Sequence, residues 1–361
     1  MSSSDTPPQS ENPPVATAGT DDLRPEDLPP VEPPSAGFIV QLFLVPALIV
    51  MAVIGVWALF GKLASSDQDH RTLIRELNSS NEHRRWRAAL SLAQMLKSDL
   101  DQGEDGRGLT RNREVAAELT GMLDDRLKAL LPSDEKEREK ALKHQEFLAR
   151  TLGMLDVNDI VLPVLQRAMD EDHDREVRKN AIASVALIAG RNEAAGNPMT
   201  SPDVVESLVT ATDDAEVLIR QMGTYALGLV HTDKAQQRLN ALLKNSDQST
   251  RYNAAIGLVR RKSSDGLPVF HEVLEKAGRP ENRAAVAELD EEQLKEFRQQ
   301  KDFVEPVMLS NTLKAIGELT GQLDPEERAT LISLIREVAE SYPNAKIRVD
   351  AEQVLRGLEK R

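Results

Sequence analysis

Apolar residues recur at steps of three and four along most of the chain, the spacing that places them on one face of an α-helix. This pattern runs through residues 62–361, where Asp, Asn, Ser, Gly and Pro separate one apolar segment from the next. No segment there sustains the alternation of apolar and polar residues that a half-buried β-strand requires. The pattern therefore predicts an all-α fold.

Four of the helical segments share a pattern that starts at an arginine: Arg85, Arg178, Arg220 and Arg251. A small residue follows each arginine after three positions and another after six, and a branched apolar residue comes next. Small side chains let a neighbouring helix approach closely, so each copy predicts one helix of a packed pair. The small residues are Ala88, Ala181, Gly223 and Ala254 at the first position, and Ser91, Ser184, Ala226 and Gly257 at the second.

A residue type that commonly caps helices stands six positions before each arginine: Ser79, Asp172, Asp214 and Asn245. A cap accepts hydrogen bonds from the free amides of the first turn, so the pattern predicts helix starts at these positions. Looser copies of the apolar pattern begin at Phe147, Thr312 and Ile347. Together the copies predict about seven helix pairs stacked as an α-solenoid. The alternative is a generic helical bundle.

Two segments, DHDREVRKNAIASVA (172–186) and DAEVLIRQMGTYALG (214–228), resemble the HEAT-repeat family, particularly its bacterial short repeats. The family pattern is an Asp, then Val-Arg, then Ala and Ala-Leu-Gly at helical spacing. The resemblance covers roughly residues 70–361 and implies a HEAT-like α-solenoid. In the family the Asp and Arg also form a ladder along neighbouring repeats. The resemblance implies that role for Asp172, Arg178, Asp214, Arg220 and Arg251.

Residues 37–61 form a continuous apolar run, GFIVQLFLVPALIVMAVIGVWALFG, without an ionisable side chain. About 20 apolar residues cross the hydrocarbon core of a bilayer, so the run predicts a single transmembrane helix. Trp57 and Phe60 near its C-terminal end are residue types that favour the membrane interface, and Lys62 follows. The alternative is a buried core helix.

Residues 1–36 are rich in Pro, Ser, Thr and acids, a composition that buries too little apolar surface to fold. The prediction is therefore a disordered acidic tail at 1–36, a transmembrane helix at 37–61 and a repeat domain at 62–361. Seven acids and one arginine give the tail a net charge of −6, which leaves −8 of the total −14 for the repeat domain. An acidic repeat domain disfavours nucleic-acid binding, which needs clustered positive charge.

The basic residues around the apolar run predict its orientation. Arg24 lies on the N-terminal side, whereas Lys62, Arg71 and Arg75 lie on the C-terminal side. Cytoplasmic flanks carry the excess of Lys and Arg. The chain is therefore expected to be a single-pass protein of a bacterial cytoplasmic membrane with the repeat domain in the cytoplasm. The opposite orientation stays open because the difference is small.

The sequence contains no motif that indicates catalysis. The absence of cysteine excludes disulfides, Cys-based zinc sites and thiolate nucleophiles. The six histidines fall in separate segments, and the sequence has no HExxH, no phosphate-binding glycine loop and no GxSxG. No catalytic, cofactor-binding or metal-binding residue is therefore predicted.

Two functions fit these observations. The first is a non-catalytic, membrane-tethered scaffold that binds a protein partner in a groove lined by polar residues of the second helices. The second follows from the family resemblance, because some bacterial HEAT-like proteins act on bilin chromophores as lyases. A lyase would need a closed cavity with converging acidic and polar groups, whereas a scaffold would present an open groove.

Overall fold

The structure is a computed structural model that describes residues 48, 50–56, 69–278 and 289–360. The chain divides into two compact units, Met1–Gln68 and Asp69–Arg361. In the first unit, residues 50–56 are helical and their apolar side chains are exposed. None of the described helices is both long and apolar enough to cross a membrane. The predicted tail at 1–36 and most of the predicted transmembrane helix at 37–61 lie outside the described residues.

Fifteen α-helices make up the described part of the second unit, in which no strand occurs, so the all-α prediction is confirmed there. Two 3₁₀ turns, Gly103–Asp105 and Leu109–Arg111, follow the second helix. The helices are α1 (His70–Leu77), α2 (Glu82–Gln102), α3 (Arg113–Lys128), α4 (Glu135–Leu152), α5 (Asn158–Ala168), α6 (Arg175–Ala194), α7 (Pro202–Ala211), α8 (Val217–Gly228), α9 (Asp233–Leu242), α10 (Gln248–Val259), α11 (Leu267–Gly278), α12 (Glu291–Gln299), α13 (Glu305–Leu319), α14 (Pro325–Ser341) and α15 (Ala345–Glu359).

The helices of the second unit form two layers. The first helices of the pairs are α1, α3, α5, α7, α9, α11 and α14, and the second helices are α2, α4, α6, α8, α10, α13 and α15. From α4 onward each second helix packs against the next, so that α6 contacts α4 and α8, and α10 contacts α8 and α13. This arrangement gives seven helix pairs among the described residues, and the predicted repeat solenoid is confirmed.

The small residues of the repeat pattern lie where helices approach most closely. A Cβ added to Gly223 would lie 2.9 Å from the Cβ of Ala211 on α7, and one added to Gly257 would lie 2.8 Å from the Cα of Gly228 on α8. The first small position therefore makes room for the first helix of the same pair. The second small position makes room for the preceding second helix. The predicted role of these residues is confirmed at both contacts.

The N-caps of the second helices α2, α6, α8 and α10 lie two residues later than the sequence pattern predicts. The N-caps of α2, α6 and α10 are Asn81, Asp174 and Asp247, whose side chains accept hydrogen bonds from amides of the first turn. The residues predicted as caps instead form the turn before the helix. Asp214 Oδ1 accepts a hydrogen bond from the Glu216 amide at 2.8 Å, and Asn245 Oδ1 accepts one from the Asp247 amide at 2.9 Å. Asp and Asn commonly bond the amide two residues ahead in such turns.

The chain stays helical through Pro306. A π-turn, Gln300–Val304, joins α12 to α13, so that one helix runs through Pro306. In a regular helix the proline ring clashes with the carbonyl four residues earlier. The widened turn directly before Pro306 accommodates the ring, and the helix continues. No residue of α12 is buried.

His144 on α4 is a buried histidine, only 6% exposed, and its Nε2 has no hydrogen-bond partner. Burial, followed by the positive charges of Arg126 and Arg85, lowers its pKa from 6.5 to about 3. The folded protein therefore holds His144 neutral over a pH range in which the unfolded chain binds a proton. Stability rises with pH wherever the unfolded state binds more protons.

Acidification below about pH 6.5 is therefore expected to lower the free energy of unfolding by about 1.4 kcal/mol per pH unit through His144 alone. At about pH 4.5 the loss from this residue reaches about 2–3 kcal/mol. Urea unfolding of the wild type and of His144→Leu over this range measures it, because the substitution removes this part of the slope. His83→Leu, at an exposed position of α2, is the control and should keep the wild-type slope. Parallel curves for wild type and His144→Leu would contradict the prediction.

Candidate functional site

An apolar strip crosses the solvent-facing side of the second helices. Leu187 on α6 is 45% exposed, and Leu218 and Tyr225 on α8 are 42% and 48% exposed. Single exposed apolar residues are common, but neighbouring ones on adjacent helices often mark an interaction surface. The sequence predicts polar residues on this surface. The structure corrects that expectation in the middle of the stack.

A recess of 670 Å³ lies beside this strip, between α6 and α8. Tyr225, Met222 and Leu229 form its α8 side. A Cβ added at Gly190 would meet no atom within 4 Å. Four of the α6 residues that line the recess carry no side chain larger than a methyl group, which leaves space above that part of the helix. The floor residues are Ala183, Ala186, Gly190 and Ala194.

A second recess of 330 Å³ continues the first across α10 and α13. Tyr225 and Arg260 line both recesses. Ile256 on α10 and Lys314 on α13 line only the second. We call the continuous surface formed by the two recesses the Tyr225 groove. It spans four consecutive second helices, α6, α8, α10 and α13.

The charged end of the Tyr225 groove contains the Glu193 carboxylate, which contacts two basic side chains. Glu193 Oε2 accepts a hydrogen bond from Arg260 Nη1 at 2.9 Å, and Glu193 Oε1 lies 2.9 Å from His231 Nε2. Burial lowers the pKa of Arg261 to about 10, against the opposing effect of the Glu193 charge. Glu193 therefore interacts with several basic groups at once. In the described part of the chain, no three His, Cys, Asp or Glu side chains are grouped to hold a metal ion.

Two half-buried arginines donate hydrogen bonds to the C-terminal ends of second helices. Arg191 donates from Nη1 to the Gly153 carbonyl at 2.8 Å and from Nη2 to the Leu155 carbonyl at 2.6 Å, just past the end of α4. Arg261 donates to the Gly228 carbonyl at 3.2 Å, at the end of α8. Carbonyls at a helix end lack partners within the helix, so these guanidinium groups supply the missing donors. Neither residue falls at the repeated arginine position of the sequence pattern.

Among the predicted ladder residues, the structure brings Arg178 and Asp214 together. Arg178 Nη1 donates to Asp214 Oδ2, and the two side chains are only 9% and 12% exposed. The pair joins α6 to the turn before α8. Asp172 is exposed and precedes Asp174, the N-cap of α6.

The other repeat arginines donate hydrogen bonds to backbone carbonyls of the turn before their own helix. In Arg220 and Arg251, Nη1 donates to the carbonyl six residues earlier, at 2.7 and 2.9 Å. Arg85 and Arg348 make the same bond, at 3.2 and 2.8 Å. Arg348 lies in the loose repeat copy that begins at Ile347, where the apolar pattern alone does not single it out. Its spacing from the turn is the signal that could have identified it.

Comparison with known proteins agrees with the repeat architecture. Residues 205–289, which contain α8 and α10 of the Tyr225 groove, match the family model of HEAT repeats. No curated protein matches the sequence significantly. Among solved structures, Escherichia coli YibA is 20% identical, with 83% of this chain and 96% of that chain covered and a TM-score of 0.40.

Two further solved structures are similar at lower identity. The complex of CpcE and CpcF of phycocyanin lyase from a Nostoc species is 16% identical, with 80% of this chain and 94% of that chain covered and a TM-score of 0.40. A designed armadillo repeat protein is 17% identical, with 80% and 98% covered and a TM-score of 0.34. The described part of the second unit is thus an all-α repeat solenoid in which residues 205–289 are similar to HEAT repeats.

Proposed function

We propose that the chain is a membrane-tethered scaffold of HEAT-like repeats that binds a protein partner in the Tyr225 groove and performs no catalysis. The observation that carries this proposal is the exposed row of Leu187, Leu218 and Tyr225 beside the 670 Å³ recess. Helical solenoids bind other molecules along extended surfaces of this kind. Covering the row would remove apolar side chains from water, which favours association.

The shape and the charges of the groove support binding over the lyase alternative. Leu187, Tyr225 and Arg260 line the first recess and are exposed, so the recess opens to solvent. Glu193, a carboxylate in that recess, is already bonded to Arg260 and close to His231. A group held in this way is poorly available as a catalytic acid. The scaffold is therefore the function that the groove supports better.

The membrane tether is proposed from the uncharged apolar run at residues 37–61. The basic residues that follow it support a cytoplasmic position for the repeat domain. A tether of this kind would hold the Tyr225 groove near the membrane surface and raise its effective concentration toward a membrane-associated partner.

Filling the recess should abolish partner binding without unfolding the protein. Gly190→Leu places a large side chain above the small residues of α6, and Leu favours helix over Gly by about 0.8 kcal/mol. In affinity capture with the full-length chain, we expect proteins retained by the wild type to fall by about tenfold or more with this variant. The matched control is Gly121→Leu on α3, another helical glycine with no atom within 4 Å of an added Cβ. Equal recovery with all three proteins would contradict the groove as the binding site.

Charges placed in the apolar run should prevent membrane integration. An arginine at the centre of a membrane helix costs about 2.5–3.5 kcal/mol. We expect the wild type to stay in the membrane pellet after alkaline washing and the double variant Leu48→Arg with Ile54→Arg to be released. The control, Leu48→Ile with Ile54→Leu, should behave like the wild type. Release of the wild type itself would contradict the tether.

The orientation can be tested because the chain has no cysteine. Ser3→Cys in the tail and Ser264→Cys in the repeat domain each introduce a single thiol. On intact spheroplasts, a membrane-impermeant maleimide should label the first variant and leave the second unlabelled until the membrane is permeabilised. The reverse result would place the repeat domain outside.

A further inference from the structure

The charged end of the Tyr225 groove differs in sign from the rest of the chain. Arg191, Arg260 and Glu193 line the same recess, and Arg261 is close enough for the Glu193 charge to affect its ionisation. Three guanidinium groups therefore belong to or lie close to this recess, and those of Arg260 and Arg261 lie near the Glu193 carboxylate. The chain as a whole, in contrast, carries a net charge of −14. The local excess of positive charge is a feature of this surface.

Two of these guanidinium groups are fixed in place. Arg191 and Arg261 are held by backbone carbonyls at the ends of α4 and α8, so their guanidinium groups already have acceptors within the stack. Arg260 is exposed, and its hydrogen bond to Glu193 joins it to α6. Arg260 is therefore the member of this set that an incoming group can contact.

The second recess repeats the combination of apolar and basic groups. Ile256 and Tyr225 supply its apolar wall, and the exposed Lys314 lies with Arg260 along its edge. Glu318, one helical turn from Lys314, is the acidic residue in this recess. The second recess thus combines the apolar surface of Tyr225 and Ile256 with two cations, Arg260 and Lys314.

We infer that the Tyr225 groove selects an acidic, apolar peptide segment, with a large apolar side chain in the recess between α6 and α8 and a neighbouring carboxylate bonded to Arg260. The inference rests on the proposed scaffold function and names the class of partner that the groove takes. Complementary charge sets orientation and specificity at such surfaces, and buried apolar area supplies most of the affinity.

Glu193 competes with the partner for Arg260. A carboxylate from the partner must replace or share the existing bond between Glu193 and Arg260, so binding is weaker than it would be with Arg260 released. Two substitutions should therefore change the affinity in opposite directions. Arg260→Glu removes the cation and adds a repelling charge, whereas Glu193→Gln frees Arg260 at nearly constant side-chain size. If the groove recognised shape alone, these two substitutions would not change the affinity in opposite directions.

The test uses a random peptide library displayed on phage as the probe and the full-length chain as bait. We expect selected peptides to carry Asp or Glu close to Leu, Met, Phe or Trp. In fluorescence anisotropy with one such peptide, Arg260→Glu should weaken binding about tenfold and Glu193→Gln should strengthen it about threefold. Gly190→Leu should abolish binding. Arg175→Glu, at an exposed arginine of α6 that does not line the recess, should stay within about twofold of the wild type. Circular dichroism on each variant checks that it is folded.

Selection of basic peptides would overturn the inference, and so would Arg260→Glu and Glu193→Gln variants that shift the affinity in the same direction or leave it unchanged. A library that yields no peptide sensitive to Gly190→Leu would also overturn it. If Gly190→Leu still reduced the capture of partner proteins in that case, the scaffold function would remain supported. Loss of both results would remove the scaffold function as well.

Discussion

Replacing Arg178 with methionine is expected to lower the free energy of unfolding by about 3–5 kcal/mol. Arg178 forms a nearly buried ion pair with Asp214. Without the guanidinium, the Asp214 carboxylate would stay largely out of water with the Glu216 amide as its remaining donor. Removing one partner of a buried pair is costly because the other charge is left without compensation.

Urea unfolding followed by circular dichroism measures this loss. The double variant Arg178→Met with Asp214→Asn should recover most of it, because no charge remains and the asparagine oxygen can still accept the Glu216 amide. The control is Arg175→Met, which removes an exposed arginine that pairs with Glu176 and Glu216. Exposed pairs contribute about 0–1 kcal/mol, so this control should change little. Equal losses for Arg178→Met and Arg175→Met would contradict the prediction.

Gly257→Val is expected to destabilise the repeat domain by about 3 kcal/mol. A Cβ at this position would lie 2.8 Å from the Cα of Gly228 and 3.2 Å from Cδ1 of Leu239. The first of these atoms belongs to the backbone of α8 and cannot rotate away. The α8–α10 contact must therefore open, which loses packing on both helices.

Gly317→Val on α13 is the matched control for Gly257→Val. Both glycines lie within second helices, but a Cβ added to Gly317 meets no atom within 4 Å. Valine favours helix slightly over glycine, so the control should be neutral or stabilised by a few tenths of a kcal/mol. Thermal unfolding of both variants separates crowding from helix propensity. A similar decrease of melting temperature in both would show that close approach at Gly257 is not the cause.

The helix pairs and their close contacts were predictable because they depend on spacing along one segment. The small residues at 223 and 257 lie three and six positions after an arginine, and this interval places them toward neighbouring helices. The position of the Tyr225 groove was not predictable in the same way. It depends on a row of small residues on α6 lying opposite large ones on α8, and these rows are distant in sequence.

The roles of the arginines show the same limit. Repetition of a residue does not say which acceptor its side chain reaches. Arg178 bonds a carboxylate before the next second helix, whereas Arg220 bonds a carbonyl in its own turn, although the two share one pattern position. Arg191 and Arg261 fall outside that position, and their acceptors are carbonyls of the preceding repeat. Every residue has a backbone carbonyl, so the sequence does not show which one an arginine bonds.

The arginines that bond helix ends all connect a later repeat to an earlier one. Arg191 completes the end of α4, and Arg261 completes the end of α8, so a later part of the chain finishes an earlier one. A ribosome releases the N-terminal repeats first. At that stage the last carbonyls of α4 and α8 lack these hydrogen-bond donors, because Arg191 and Arg261 have not yet been synthesised. Co-translational folding of α4 and α8 is therefore expected to lag behind their emergence by about one repeat.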